Sequence, residues 1–323
     1  MKLLFQLTAF LFLTAEVNAA PTNQFIISFW CAPPVGGNYD AQYAEVAECN
    51  FNYVLSPCSS VSLAENKAIL DACQKHGLKF IPMDGRRDTY PANNPAFTSN
   101  LDSILADYSK HPAYGGLYLY DEPKIGQLET LAAQNQYLLK KDPAHLPFIN
   151  LLPIYVDVAY SGTNYEAYID IFCKTVKPRL LCYDHYALFE GVERESYFEN
   201  MEVIRRAGLK HDVPMGFIFQ TTPHGTYRDP SETDLRWQVN TALACGCKAL
   251  FYFTYFTITD PEANFHNGII DPKGNRTPHF DMAKRINAEL KAIGPALMPL
   301  TSTAVYHTGK LPAGGIKLLK LNP

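Results

Sequence analysis

The residues best suited to chemistry lie in the run Gly115-Gly116-Leu117-Tyr118-Leu119-Tyr120-Asp121-Glu122-Pro123. Leucines alternate with tyrosines at the two-residue period of a strand. Two carboxylic acids follow, just where Pro123 must end the strand and can begin a helix. An acid partly withdrawn from water at such a place has a raised pKa and can donate a proton near neutrality. A plainer arrangement uses the same residues: one acid caps the next helix and the other is solvated.

Other polar residues fall at the ends of other apolar runs. They are Trp30, Asp84 with Arg86 and Arg87, Asn150 and Tyr155, Asp184 with His185 and Tyr186, Gln220 and His224, and Tyr252 and Tyr255. To bring them together the chain needs a fold that gathers strand ends, and its pattern supplies one. Strand-like runs at 25–30, 51–55, 78–83, 115–120, 147–152, 179–183, 213–219 and 249–255 alternate with helix-like runs joined by short connections. Such alternation implies parallel pairing, because each crossover returns the chain to the same end of the sheet. Eight units in this length predict an α/β fold of the (β/α)8 barrel type, whose sites form where the strands end. An open doubly wound sheet is the competing architecture. No Gly-x-Gly-x-x-Gly or Walker-type loop follows any strand, so dinucleotide and nucleotide binding have no support.

The chain has 323 residues and a net charge of −4, which provides no basic field for nucleic acid or anionic lipid. Residues 1–19 carry one lysine, a short apolar run and a small-residue cleavage pattern at Val17-Asn18-Ala19. This reads as a secretory signal peptide rather than a membrane span, which needs about 20 apolar residues. The expected location is therefore secreted or periplasmic, with a barrel over 20–300. Residues 301–323 form a tail or the start of a missing module, and Thr301–His307 reads as an exposed strand. Export permits disulfides among the 8 cysteines but does not fix their pairing. No zinc-type spacing or serine-nucleophile elbow is present. No metal and no cofactor are expected.

Acids, amides and aromatic rings meeting at one mouth suit a sugar: carboxylates and amides bind hydroxyls, and flat rings stack on pyranose faces. Tyr120-Asp121-Glu122-Pro123 resembles the Asn-Glu-Pro ending of the fourth strand in the large clan of retaining barrel glycoside hydrolases, cellulase- and β-galactosidase-like. Leu235 to Gly246 and Phe251 to Tyr255 resemble the seventh-helix and eighth-strand region of family 42-type β-galactosidases. The resemblance implies a carbohydrate substrate, Glu122 as acid/base, and Asp121 in the place of a substrate-holding Asn. The chain departs from the clan at the seventh strand, where Gln220 replaces the nucleophilic Glu. A neutral amide cannot attack an anomeric carbon, so the partner acid is assigned to Asp184, with Asp84 behind it. The fourth and sixth strands are not neighbours, which predicts a water-sized gap between Glu122 and Asp184 and favours inversion. Adjacent strand residues point to opposite faces, which argues against Asp121 and Glu122 acting together. Asp121, Asp84, Trp30, Asn150, Tyr183, Tyr186, His185, Gln220, Tyr252 and Tyr255 are the expected substrate-binding set. A non-catalytic carbohydrate-binding barrel and a lyase-type barrel enzyme are the rival readings.

Overall fold

A computed structural model describes residues 24–87, 94, 96–260 and 262–307. The signal-peptide reading and the tail beyond residue 307 lie outside the described residues.

Strands and helices alternate as the sequence pattern predicts. They are β1 Ile26–Phe29, α1 Tyr39–Glu48, β2 Tyr53–Leu55, α2 Leu63–Lys75, β3 Lys79–Ile81, α3 Ala96–Tyr108, β4 Gly116–Asp121 and α4 Leu128–Lys141. The second half adds β5 Leu146–Leu151, α5 Tyr165–Val176, β6 Leu181–His185, α6 Tyr197–His211, β7 Met215–Gln220, α7 Glu232–Ala244, β8 Cys247–Phe253 and α8 Pro278–Leu297. Side-chain caps set several helix starts: Ser62 with Glu65 and Ser231 with Asp234 form reciprocal capping boxes, and Asn38, Asn164 and Thr277 each accept a first-turn N–H.

Six strands form one curled parallel sheet in the order β1-β8-β7-β6-β5-β4, a half-barrel, and β2 and β3 form a parallel pair. Hydrogen bonds join the pair to both edges of the large sheet. On one side Asn52 N–H donates to Ile27 O at 3.1 Å, and the Asn52 side chain bonds Ile27 N and Phe25 O, each at 2.8 Å. On the other, Phe80 N–H donates to Ala113 O at 2.7 Å and Gly115 N–H to Phe80 O at 2.8 Å. At Gly116, where β4 approaches β5, φ is +152° and an added Cβ would sit 1.9 Å from Leu146 O, so only glycine fits.

The strands are apolar on both faces, as sheets covered on both sides require. Ile26, Leu55, Ile81, Phe148, Cys182, Ile218 and Phe251 fill the concave side. Ile27, Val54, Phe80, Leu117, Leu151, Phe217 and Leu250 pack against the helices. No helix among the described residues is long and apolar enough to cross a membrane.

Three features add to the sequence reading. The β6–α6 connection contains a small antiparallel hairpin, Leu188–Phe189 with Val192–Glu193. Cys31, just after β1, forms a disulfide with Cys58, just after β2, and the other six cysteines are free and buried. Residues 301–306 form no strand; the segment instead runs over the helices, with Ser302 O accepting from Arg205 and Ser302 Oγ donating to Ala244 O.

Candidate active site

Three carboxyls and one amide meet where β4, β5 and β6 end. Asn150 Nδ2 donates to Asp121 Oδ1 at 3.0 Å and to Asp184 Oδ1 at 2.9 Å. Glu122 lies beside Asp184, close enough for each to influence the other's proton. The Asn150 oxygen is buried with no partner among the described residues.

Two backbone devices put the successive acids on one side. Tyr118 pairs with Phe148, but Tyr120 pairs with Ile149, so Leu119 is an extra residue in β4. This bulge reverses the alternation beyond it, turning Tyr120 toward the helix layer and Asp121 inward beside Asn150. Arg87 Nε secures the bulge by donating to Leu119 O at 2.9 Å. Glu122 then adopts a left-handed φ of +50° while its N–H still donates to Asn150 O at 2.9 Å. That conformation is unusual for a residue with a Cβ and costs about 1–2 kcal/mol. The expectation that alternation separates the two acids is corrected by these two departures from regular strand geometry.

The site raises its own acids. Burial, then the neighbouring Asp121 charge, push Glu122 from its ordinary 4.5 to about 7, against the opposing hydrogen bond from Asp184. Asp184 is only 5% exposed, and burial, then the Glu122 charge, push it well above the usual carboxylate range. Glu122 and Asp184 therefore titrate as a pair holding a proton between them. Asp121 is exposed at the mouth, yet the protein crowded beside it raises its carboxyl too, against the Asn150 hydrogen bond. The predicted water-sized gap between Glu122 and Asp184 is absent: Asn150 on the intervening strand holds Asp184 through its side chain and Glu122 through its backbone carbonyl, which keeps the two acids adjacent.

Tyr186 lies with this cluster, and Trp30 lies at the same end of the sheet. Trp30 is half-buried at the end of β1, edge-on to Tyr118 at 5.7 Å. Tyr186 is half-buried, packs on Phe253 at 4.7 Å, and feels the charges of Asp184, Asp121 and Glu122.

Five other expected binding residues are engaged elsewhere, and for three of them, Tyr183, His185 and Tyr252, the reason is strand parity. On β6, Cys182 and Asp184 face inward, so Tyr183 and His185 face the helices. Tyr183 is fully buried and stacked on Phe217 at 5.1 Å. His185 is also fully buried, and burial, then the Arg194 charge, push it down to about 3, leaving it neutral. Tyr252 on β8 likewise points outward, its hydroxyl donating to Asn287 at 2.8 Å. Tyr255 is buried against Phe29. Asp84 has both oxygens occupied: Arg86 bonds it at 3.0 and 2.8 Å and Tyr108 at 2.7 Å. Burial alone would raise the Asp84 carboxyl; those hydrogen bonds outweigh it and hold it low.

Gln220 does end β7, and its amide is fully engaged. Its oxygen accepts from Leu188 N at 2.9 Å, and its nitrogen donates to Leu188 O at 3.3 Å and Arg228 O at 3.0 Å. It anchors the hairpin rather than presenting a free group. Sequence reading missed Arg194, which lies 3.8 Å over the Tyr155 ring and donates to Tyr186 O at 3.1 Å and Tyr227 Oη at 2.9 Å. No motif marks it, because its partners come from three separate connections. Among the described residues no group of His, Cys and acidic side chains is arranged to hold a metal ion.

A scan of protein-family models finds no match to this chain. A search of curated proteins finds none either. Solved structures do match, and glycoside hydrolases of the barrel type are among them. A β-galactosidase from the psychrophilic Marinomonas ef1 superposes with a TM-score of 0.66 at 10% identity, over 87% of this chain and 63% of that one. Xylanase 10B from Thermotoga maritima gives 0.54 at 11% identity, over 85% and 98%. An endo-β-1,4-glucanase from Xanthomonas axonopodis pv. citri gives 0.53 at 10% identity, over 83% and 99%. The chain spans less than two thirds of the β-galactosidase's own length. At these identities the likeness is one of fold.

Proposed function

We propose that the eight strands make a closed (β/α)8 barrel and that the protein is an exported glycoside hydrolase acting on an oligo- or polysaccharide. Glu122 is the general acid that protonates the leaving oxygen, and Asp184 is its partner carboxylate. Asp121, Asn150, Trp30 and Tyr186 hold the sugar. The observation that carries this reading is the cluster of Glu122, Asp184 and Asp121 about Asn150 at the strand ends, with Glu122 poised at about 7. A general acid works best when its pKa lies near the operating pH. The hydrogen bonds joining β2–β3 to both sheet edges support barrel closure. The leader-like residues 1–19 support export, and the Cys31–Cys58 disulfide suits an oxidising compartment. The catalytic unit is assigned to 20–300.

Gln220 favours a second reading, a non-catalytic carbohydrate-binding barrel, because it leaves the seventh strand without a nucleophile. A glycan panel assayed for both binding and new reducing ends separates the two. Products from the wild type and none from Glu122→Gln support the hydrolase; binding by both without products supports the binder.

A further inference from the structure

Ordinary glycosidases place their two carboxyls about 5–5.5 Å apart to retain configuration, or about 6.5–9.5 Å apart to invert it. Asp184 is only 5% exposed and tied to Asn150 Nδ2 at 2.9 Å beside Glu122, so it offers no free carboxylate to the far face of an anomeric carbon. Across the sheet Gln220 is neutral and engaged. If this site cleaves glycosides, as proposed above, its own side chains present no separate nucleophile. Asp121 occupies the position beside the acid. It is exposed, held through Oδ1 by Asn150, and brought to that side by the Leu119 bulge and the left-handed Glu122. Asn150 itself is 3% exposed and brings an unpartnered oxygen to the cluster.

We infer that the substrate carries the nucleophile, as a 2-acetamido-2-deoxy sugar in 1,2-trans linkage to its leaving group. Asp121 accepts a hydrogen bond from the substrate's amide N–H. The amide oxygen attacks the anomeric carbon, the bond from that carbon to the leaving oxygen breaks, and the leaving oxygen takes the Glu122 proton. The positive charge developing on the amide is stabilised by Asp121. Water then adds to the anomeric carbon and gives a proton to the Glu122 carboxylate. The bond to the amide oxygen opens, and the acetamido sugar leaves with retained configuration. The 1,2-trans requirement follows from attack on the face opposite the leaving group.

The test compares aryl 2-acetamido-2-deoxy-β-D-glucosides and -galactosides with their 2-hydroxy counterparts, and includes the N-fluoroacetyl, N-difluoroacetyl and N-trifluoroacetyl derivatives. A preference of ~10²-fold or more for the acetamido sugar is expected, since an intramolecular nucleophile is lost in the counterpart. Rates must fall with each added fluorine, which weakens the amide oxygen as a nucleophile. Asp121→Asn, checked for native circular dichroism, should lower kcat by ~10²-fold on acetamido substrates, the usual effect of removing one charge-stabilising group. Equal turnover of the 2-hydroxy sugars, or rates indifferent to fluorination, overturns this inference and leaves the hydrolase reading standing. No turnover of any glycoside overturns both.

Discussion

Asn150 Nδ2 donates to Asp184 Oδ1 at 2.9 Å, and the same nitrogen bonds Asp121 at 3.0 Å. One amide on β5 thus gathers acids from the strands on either side, closing a gap that strand order alone would leave open.

Asn150→Ala removes that tie. The Asn150 hydrogen bond lowers Asp184, opposing burial and the Glu122 charge. Its loss raises the apparent pKa of the pair, so the alkaline limb of the pH–rate profile moves to higher pH. Activity falls by ~10²-fold as the carboxyls lose their fixed positions. A profile measured from pH 4 to 9 checks both effects; a reduced rate with an unmoved limb would assign Asn150 a purely structural role.

Glu122 carries a stability signature. Its folded value of about 7 lies above its ordinary 4.5, so the folded state binds the extra proton. Its contribution is fully present below about pH 4.5 and is lost as pH rises through 7. Glu122→Gln removes this loss. The variant should be more stable than the wild type by about 2 kcal/mol at pH 8, a figure reduced for solvent at the mouth, with no such gain at pH 4.5. Urea melts at the two pH values measure the difference.

Gln220→Glu does not restore the nucleophile that the resembled clan keeps on its seventh strand. The new carboxylate would face the Leu188 and Arg228 carbonyls that now accept from the amide nitrogen. The expected result is a loss of about 1–3 kcal/mol, the penalty for stranding buried polar groups, with no gain in turnover. Thermal melts and a glycosidase assay on the purified variant report both.

The Cys31–Cys58 bond closes a 27-residue separation between the ends of β1 and β2. Cys31→Ser with Cys58→Ser should lower stability by about 2–4 kcal/mol, mainly by freeing the unfolded chain. Denaturant midpoints of the double variant and of the reduced wild type should agree.

Much of the fold was legible because the strand and helix periods follow directly from which faces are buried. The positions of the eight strands belong to that legible part. Parity explains most of what was not. Tyr183, His185 and Tyr252 sit near strand ends, yet alternation turns each toward the helices. Asp121 deceived in the other direction, because a bulge at Leu119 and a positive φ at Glu122 leave no mark on residue type. The disulfide and the Arg194 contacts join residues from different connections, and only three-dimensional structure pairs them.

The most direct measurement is a carbon-13 NMR titration of the Glu122 and Asp184 carboxyls in the wild type and in Asp184→Asn. The account predicts a Glu122 transition near 7 that is sensed at Asp184 and shifts when Asp184 loses its charge. An independent Glu122 transition near 4.5, unchanged in the variant, would contradict it.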